Sequence, residues 1–179
     1  MTEHKQKFDD LDTLIKNQDR IKRQANGGNS ILFSYPPNEE NAYINELRKI
    51  YTDKAEFIDV SKLLVKYIDV EGWDSFKDYY MAYQSTAHKV FSSDDPTVDL
   101  KDMIINAITE ACQNNKIPFL IRSGCLFGTG IDSVNIMEND KVMSQSQPLV
   151  IFYPSKCEND LLYFLNFKPA SKYRCTLVK

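Results

Sequence analysis

The chain has 179 residues and a formal net charge of −3, long enough for one domain with a real hydrophobic core. It has no basic excess to draw its whole surface toward nucleic acid, no run approaching the roughly 20 apolar residues of a membrane span, and no apolar h-region behind its charged N-terminus. Cys112, Cys125, Cys157 and Cys175 stand far apart beside only two histidines. That spacing suits neither a zinc site nor a disulfide framework and predicts a cytoplasmic, reduced protein without metal or cofactor.

Residues 1–24 place Phe8, Leu11, Leu14, Ile15 and Ile21 at three- and four-residue intervals, which predicts an amphipathic helix. Asn26-Gly27-Gly28-Asn29 ends it, because glycine and asparagine accept the left-handed conformation past a helix end. Residues 1–28 are thus a helix and linker that either dock on the same domain or face a partner protein. Residues 31–35 read as a strand stopped by Pro36-Pro37. Asn38 is placed to cap a helix running to about residue 51, with Tyr43, Ile44, Leu47, Ile50 and Tyr51 on its apolar face. Residues 56–60 read as a second strand, and Ser61 as the cap of a helix carrying Leu63, Leu64, Tyr67 and Ile68. Two strand–helix units in succession suggest a parallel sheet.

After Gly72 the helical rhythm resumes over residues 73–90, with Trp73, Phe76, Tyr80, Tyr83 and Ala87 on one side. Residues 91–97 read as a loop. The segment 98–114 is the most strongly periodic in the chain and is expected to be the crossover that delivers the central strand, Ile117-Pro118-Phe119-Leu120-Ile121-Arg122-Ser123. That strand begins the stretch 117–179 around which the rest is organised. Leu149-Val150-Ile151-Phe152-Tyr153, introduced by Pro148, is a second continuous apolar run, and such runs suit strands buried on both faces. Residues 131–138 suggest a short helix, 141–147 a polar link and 155–160 a turn. Residues 161–167 and 173–178 close the chain as strands, expected to pair antiparallel. The whole predicts a single three-layer α/β domain, residues 1–179, with a mainly parallel central sheet and flanking helices.

In such sheets ligands bind beyond the carboxyl ends of the strands. The ends here are Tyr35-Pro36, Asp59-Val60-Ser61, Arg122-Ser123-Gly124 and Tyr153-Pro154-Ser155-Lys156. The loop from Gly124 to Gly130 fails the phosphate-loop spacing, since Thr129 stands where the second glycine belongs and no lysine follows before Lys141. The fold is therefore nucleotide-binding-like without a functional phosphate loop. Cys125 with His88 is a conceivable nucleophile and base, read instead as a structural thiol. Asp9-Asp10 and Asp94-Asp95 read as solvated surface rather than cation sites. Arg122 ends an apolar strand, where its charge needs a partner; a structural ion pair is favoured over anion binding. Trp73, Tyr79, Tyr80 and Tyr83 are able to stack bases, but with Lys77 as the one basic residue between them they read as core.

Several segments resemble the BrxB family of BREX phage-defence systems. These are the strand Phe119–Arg122 before a glycine, the helix-like residues 131–139, Leu149-Val150-Ile151-Phe152-Tyr153-Pro154, the strand 161–167 and the closing Tyr173-Arg174-Cys175-Thr176-Leu177-Val178. The N-terminal half agrees more loosely through Tyr35-Pro36 and Phe57-Ile58-Asp59-Val60-Ser61. The resemblance implies no catalytic residue. It implies a non-enzymatic adaptor or scaffold whose partners are a PglZ-like phosphatase-fold protein and a BrxC-like ATPase. The alternative is a small-molecule, nucleotide-binding or enzymatic module using a crevice formed by Tyr35, Ser61, Arg122, Ser123, Gly124, Tyr153, Ser155 and Arg174. A second alternative is nucleic-acid binding through scattered lysines such as Lys62 and Lys66.

Overall fold

A computed structural model describes residues 3–91 and 99–179. Its strands are β1 (Ser30–Tyr35), β2 (Ala55–Asp59), β3 (Ile117–Ile121), β4 (Leu149–Glu158), β5 (Leu161–Phe164), β6 (Lys168–Ala170) and β7 (Cys175–Val178). Five of them form a parallel sheet in the order β2-β3-β4-β1-β7. The apolar runs do what continuous runs predict. Every residue of β1 and β3, and the first seven of β4, is buried, because helices cover both faces.

On one face lie α1 (Glu3–Ile15), α2 (Gln18–Gln24) and α3 (Glu40–Tyr51). They pack Phe8, Leu11, Ile21, Tyr43 and Leu47 against Phe33, Tyr35, Phe119 and Phe152 of the sheet. On the other lie α4 (Val60–Glu71), α5 (Trp73–Ala82), α6 (Leu100–Gln113), α7 (Ser133–Met137) and α8 (Asp140–Met143). There Ile104, Ile105 and Ile108 of α6 meet Leu32, Leu120 and Ile151. Alternation along each strand divides its side chains between these two cores. Phe33 and Phe152 face each other in register, their rings stacked at 4.6 Å and 6°.

Several boundaries differ from the sequence reading, each for a local reason. The N-terminal helix is two helices. Asn17 leaves helical geometry and its side chain caps α2 by accepting from the Arg20 N–H. Asn38 caps nothing. Pro36-Pro37 start a 3₁₀ turn, Pro37–Glu39, and α3 begins after it. The cap of α4 is Asp59, not Ser61, with the carboxylate accepting from the Ser61 N–H at 3.1 Å and its hydroxyl at 2.6 Å. The segment 73–90 breaks at Tyr83, where α5 gives way to a 3₁₀ stretch, Gln84–Phe91. The most periodic helix begins at Leu100, capped by Asp99. Residues 92–98, with most of the predicted loop and Asp94-Asp95, lie outside the described residues.

The place of β3 also changes. It stands second from the β2 edge, and β4 is the middle strand. Nor does β4 stop at Tyr153. It runs through Pro154 to Glu158, and the lost N–H costs nothing because pairing switches there. Up to Pro154 the strand pairs with β1, and from Ser155 onward it pairs antiparallel with β5. The last two predicted strands are not partners. β5 pairs with β4 and β6, whereas β7 crosses to the far edge and runs parallel to β1.

Candidate functional site

The parallel order brings the carboxyl ends of β1, β2, β3 and β4 to one edge of the sheet, and three of the predicted residues meet there. Arg122 follows β3 in the left-handed conformation, φ 59°. Its Nε lies 3.4 Å from Asp59 Oδ2 and its Nη1 3.9 Å from Glu40 Oε2. Tyr35 donates its hydroxyl to Glu40 Oε1 at 2.7 Å, and Ser61 donates to Asp59. The cluster is one cation shared by two carboxylates, each carboxylate also held by a hydroxyl. Burial, and then the Glu40 hydrogen bond, push the Tyr35 hydroxyl well above the ordinary tyrosine range, so it remains a neutral donor.

Ser123 and Tyr153 belong to a neighbouring pocket of about 240 Å³ between the sheet, α7 and the β5–β6 hairpin. Leu120, Ile136, Phe164 and Pro169 form apolar walls. Ser123 donates to the Phe152 carbonyl at 2.6 Å, and the Tyr153 ring stacks on Phe164 at 4.7 Å. Burial raises the Tyr153 hydroxyl, with a hydrogen bond from Ser133 working against it. Between cluster and pocket, Gly124 sits under the hairpin. A Cβ there would lie 3.4 Å from both Leu165 and Pro154.

The remaining two predicted residues lie apart. Ser155 is buried and donates to Ser34 Oγ at 2.9 Å, tying β4 to β1. Arg174 precedes β7, at the opposite end of the sheet, because β7 is parallel to β1 and begins beside Ser30. Its Nη1 donates to the Asn26 carbonyl at 2.8 Å, closing the loop after α2. Arg174 is therefore no part of a strand-end crevice.

Cys125 is pushed up to about 11, by burial first and by the nearby Asp59 charge second. It stays a thiol near neutral pH, where a nucleophile needs the thiolate. Among the described residues no hydrogen bond joins it to His88, which packs against Gly130.

The aromatic residues read as core are surface. Trp73, Tyr79, Tyr80 and Tyr83 are 62%, 49%, 38% and 44% exposed, and Met81 beside them 55%. Within α5 no residue is buried. Phe76 alone reaches the core from this helix, joining the cluster that contains Phe91. A helical rhythm identifies an apolar face but not whether anything covers it, so the sequence held no signal for this exposure.

Among the described residues no group of three or more His, Cys, Asp or Glu is arranged to hold a metal ion. No described helix is long and apolar enough to cross a membrane. No curated protein and no solved structure matches the chain significantly. The family described as BREX protein BrxB matches residues 56–178, from β2 through β7. The match omits β1, although β1 lies between β4 and β7 in the same sheet. With more than half of its length matched, the chain belongs to the BrxB family and is a component of a BREX phage-defence system.

Proposed function

We propose that this BREX component is a non-enzymatic adaptor that docks on other components of its system, a PglZ-like phosphatase-fold protein first and a BrxC-like ATPase second. The observation that carries this reading is α5. A ten-residue helix is marginal in water without tertiary packing, and this one offers solvent Trp73, Tyr79, Tyr80, Met81 and, just beyond its end, Tyr83. Contiguous exposed aromatic surface of this kind marks protein interaction sites. Burying one such side chain contributes about 1.5–3 kcal/mol, so a few suffice to hold a partner. The strand-end chemistry agrees, since the Arg122 charge is already shared by Asp59 and Glu40 and Cys125 is held protonated.

Co-expression with the PglZ-like protein and the BrxC-like ATPase tests it. The expected result is a stable complex that is lost in a Trp73→Ala, Tyr80→Ala double variant of unchanged fold. Failure to associate with any component of the system would sink the adaptor.

The pocket beside Tyr153 supports a second reading, a binding site for a small, mostly apolar ligand. A compound that raises Tm for the wild type but not for Tyr153→Phe would favour it.

A further inference from the structure

The pocket beside Tyr153 offers hydroxyls but no buried charge. Three of its lining residues, Ser123, Ser133 and Tyr153, carry hydroxyls and are only 3%, 7% and 5% exposed. They come from the turn after β3, the start of α7 and the parallel part of β4. Their protons are not equivalent. Ser123 donates to the Phe152 carbonyl at 2.6 Å, and Ser133 donates to the Tyr153 oxygen. The Tyr153 proton has no acceptor among the described residues, so a free donor stands on an otherwise apolar wall. We infer that this pocket takes a neutral, ring-sized molecule whose apolar body carries a carbonyl-type acceptor for the Tyr153 proton. The inference rests on the ligand-site reading of the pocket and specifies the chemistry of the ligand.

Size and charge select that class. A volume of about 240 Å³ lies below the roughly 300–1,000 Å³ of sites for drug-sized ligands, which suits a ring with a small substituent rather than a nucleotide. The charged lining residues, Asp132 and Lys168, are both exposed. An ion entering the pocket therefore meets no buried counter-charge, and an unpaired charge taken out of water is costly. Burial raises the Tyr153 hydroxyl and keeps its proton in place, and the Asp132 carboxylate adds to that rise. A phosphate or carboxylate beside Tyr153 would meet the same opposing field. A cation has no use for the Tyr153 proton, and the Asp132 carboxylate already accepts from the Asn135 N–H at 3.0 Å. A pure hydrocarbon would suit Leu120, Ile136 and Phe164 but leave the Tyr153 donor dry and unsatisfied. A carbonyl on an apolar ring meets both requirements.

Four probes of nearly one size test this on the full chain by calorimetry and Tm. They are acetophenone, its hydrocarbon isostere isopropenylbenzene, benzoate and benzylammonium. Acetophenone is expected to bind and raise Tm, whereas neither ion should. Tyr153→Phe should weaken acetophenone about three- to tenfold, the effect of one neutral hydrogen bond, and leave isopropenylbenzene within about twofold. Ala170→Phe from β6 or Val134→Phe from α7, each filling the pocket at unchanged circular dichroism, should abolish binding of both neutral probes. Equal effects of Tyr153→Phe on the two neutral probes overturn this inference while the apolar ligand site stands. So does binding of isopropenylbenzene alone, or binding of either ion as tight as that of acetophenone. Failure of all four probes to bind, or binding that survives both filling variants, defeats the ligand site and this inference with it.

Discussion

Arg122 Nε lies 3.4 Å from Asp59 Oδ2, so the residue after β3 is tied to the residue that ends β2. The Asp59 side chain is only 10% exposed, whereas Arg122 is 39% exposed. The carboxylate is therefore the member that needs the pair.

Arg122→Ala leaves Asp59 without its cation, and an under-satisfied, nearly buried group of this kind costs about 1–3 kcal/mol. The left-handed backbone at Arg122 is a second, separable effect, since glycine takes that conformation without the roughly 1–2 kcal/mol penalty of other residues. Arg122→Gly should thus be more stable than Arg122→Ala. Urea midpoints of the two variants check the order, and equal midpoints would show that the strain relieved there does not exceed the entropy glycine adds to the unfolded chain.

Removing residues 1–24 should abolish folding rather than free a detachable arm. Phe8, Leu11 and Leu14 are 4%, 0% and 6% exposed and cover Phe33 and Phe152. The milder Leu11→Ala should cost about 2–5 kcal/mol, as buried leucine truncations do. Amide exchange is expected to rise first in β1, the strand beneath α1. A truncated chain with native amide protection would refute this.

Gly28→Ala should destabilise although no left-handed angle is involved. An added Cβ would meet the Arg174 carbonyl oxygen at 2.2 Å and the Ala25 carbonyl at 2.9 Å. Both are backbone, so chain segments must move, at about 1–3 kcal/mol or more. Faster amide exchange in β7, which starts beside that contact, should accompany the lower Tm.

Stability should fall with rising pH above about 9. Burial holds the Cys175 thiol up to about 12 and Cys125 up to about 11, whereas an unfolded cysteine titrates near 8.5. Between those values the folded chain retains protons that the unfolded chain has lost, so the stabilisation is complete below the unfolded value and lost through the folded one. Tyr51, also raised by burial, acts with the same sign at higher pH. The urea midpoint should drop between about pH 9 and 11, with a shallower slope in Cys175→Ala. At pH 8 the exposed Cys157 should react with a thiol reagent well before buried Cys112 and Cys175.

The legible parts were those where local pattern and burial coincide. Ile31, Phe33, Phe119 and Val150 lie in unbroken apolar runs, and these became strands covered on both faces. Arg122 at the end of such a run required a partner, and Asp59 supplies it. Arg174 was misplaced because its position depends on β7 crossing to the far edge, which no neighbouring residue encodes. Pro154 reads as a stop because proline removes an N–H; only the switch from β1 to β5 as partner makes it harmless there. The aromatic residues of α5 carry the period of a buried helix, and period is silent about cover.

By itself, then, the sequence determined the buried strands and the longer helices, the α/β class and the family, because apolar periodicity and short motifs are local properties of the chain. Tertiary structure alone decided the strand order, the sharing of Arg122 between Asp59 and Glu40, the separation of Arg174 from the strand ends and the exposure of Trp73. Each of these depends on contacts between residues distant in sequence, and those contacts follow from which hydrophobic faces find one another in the folded chain.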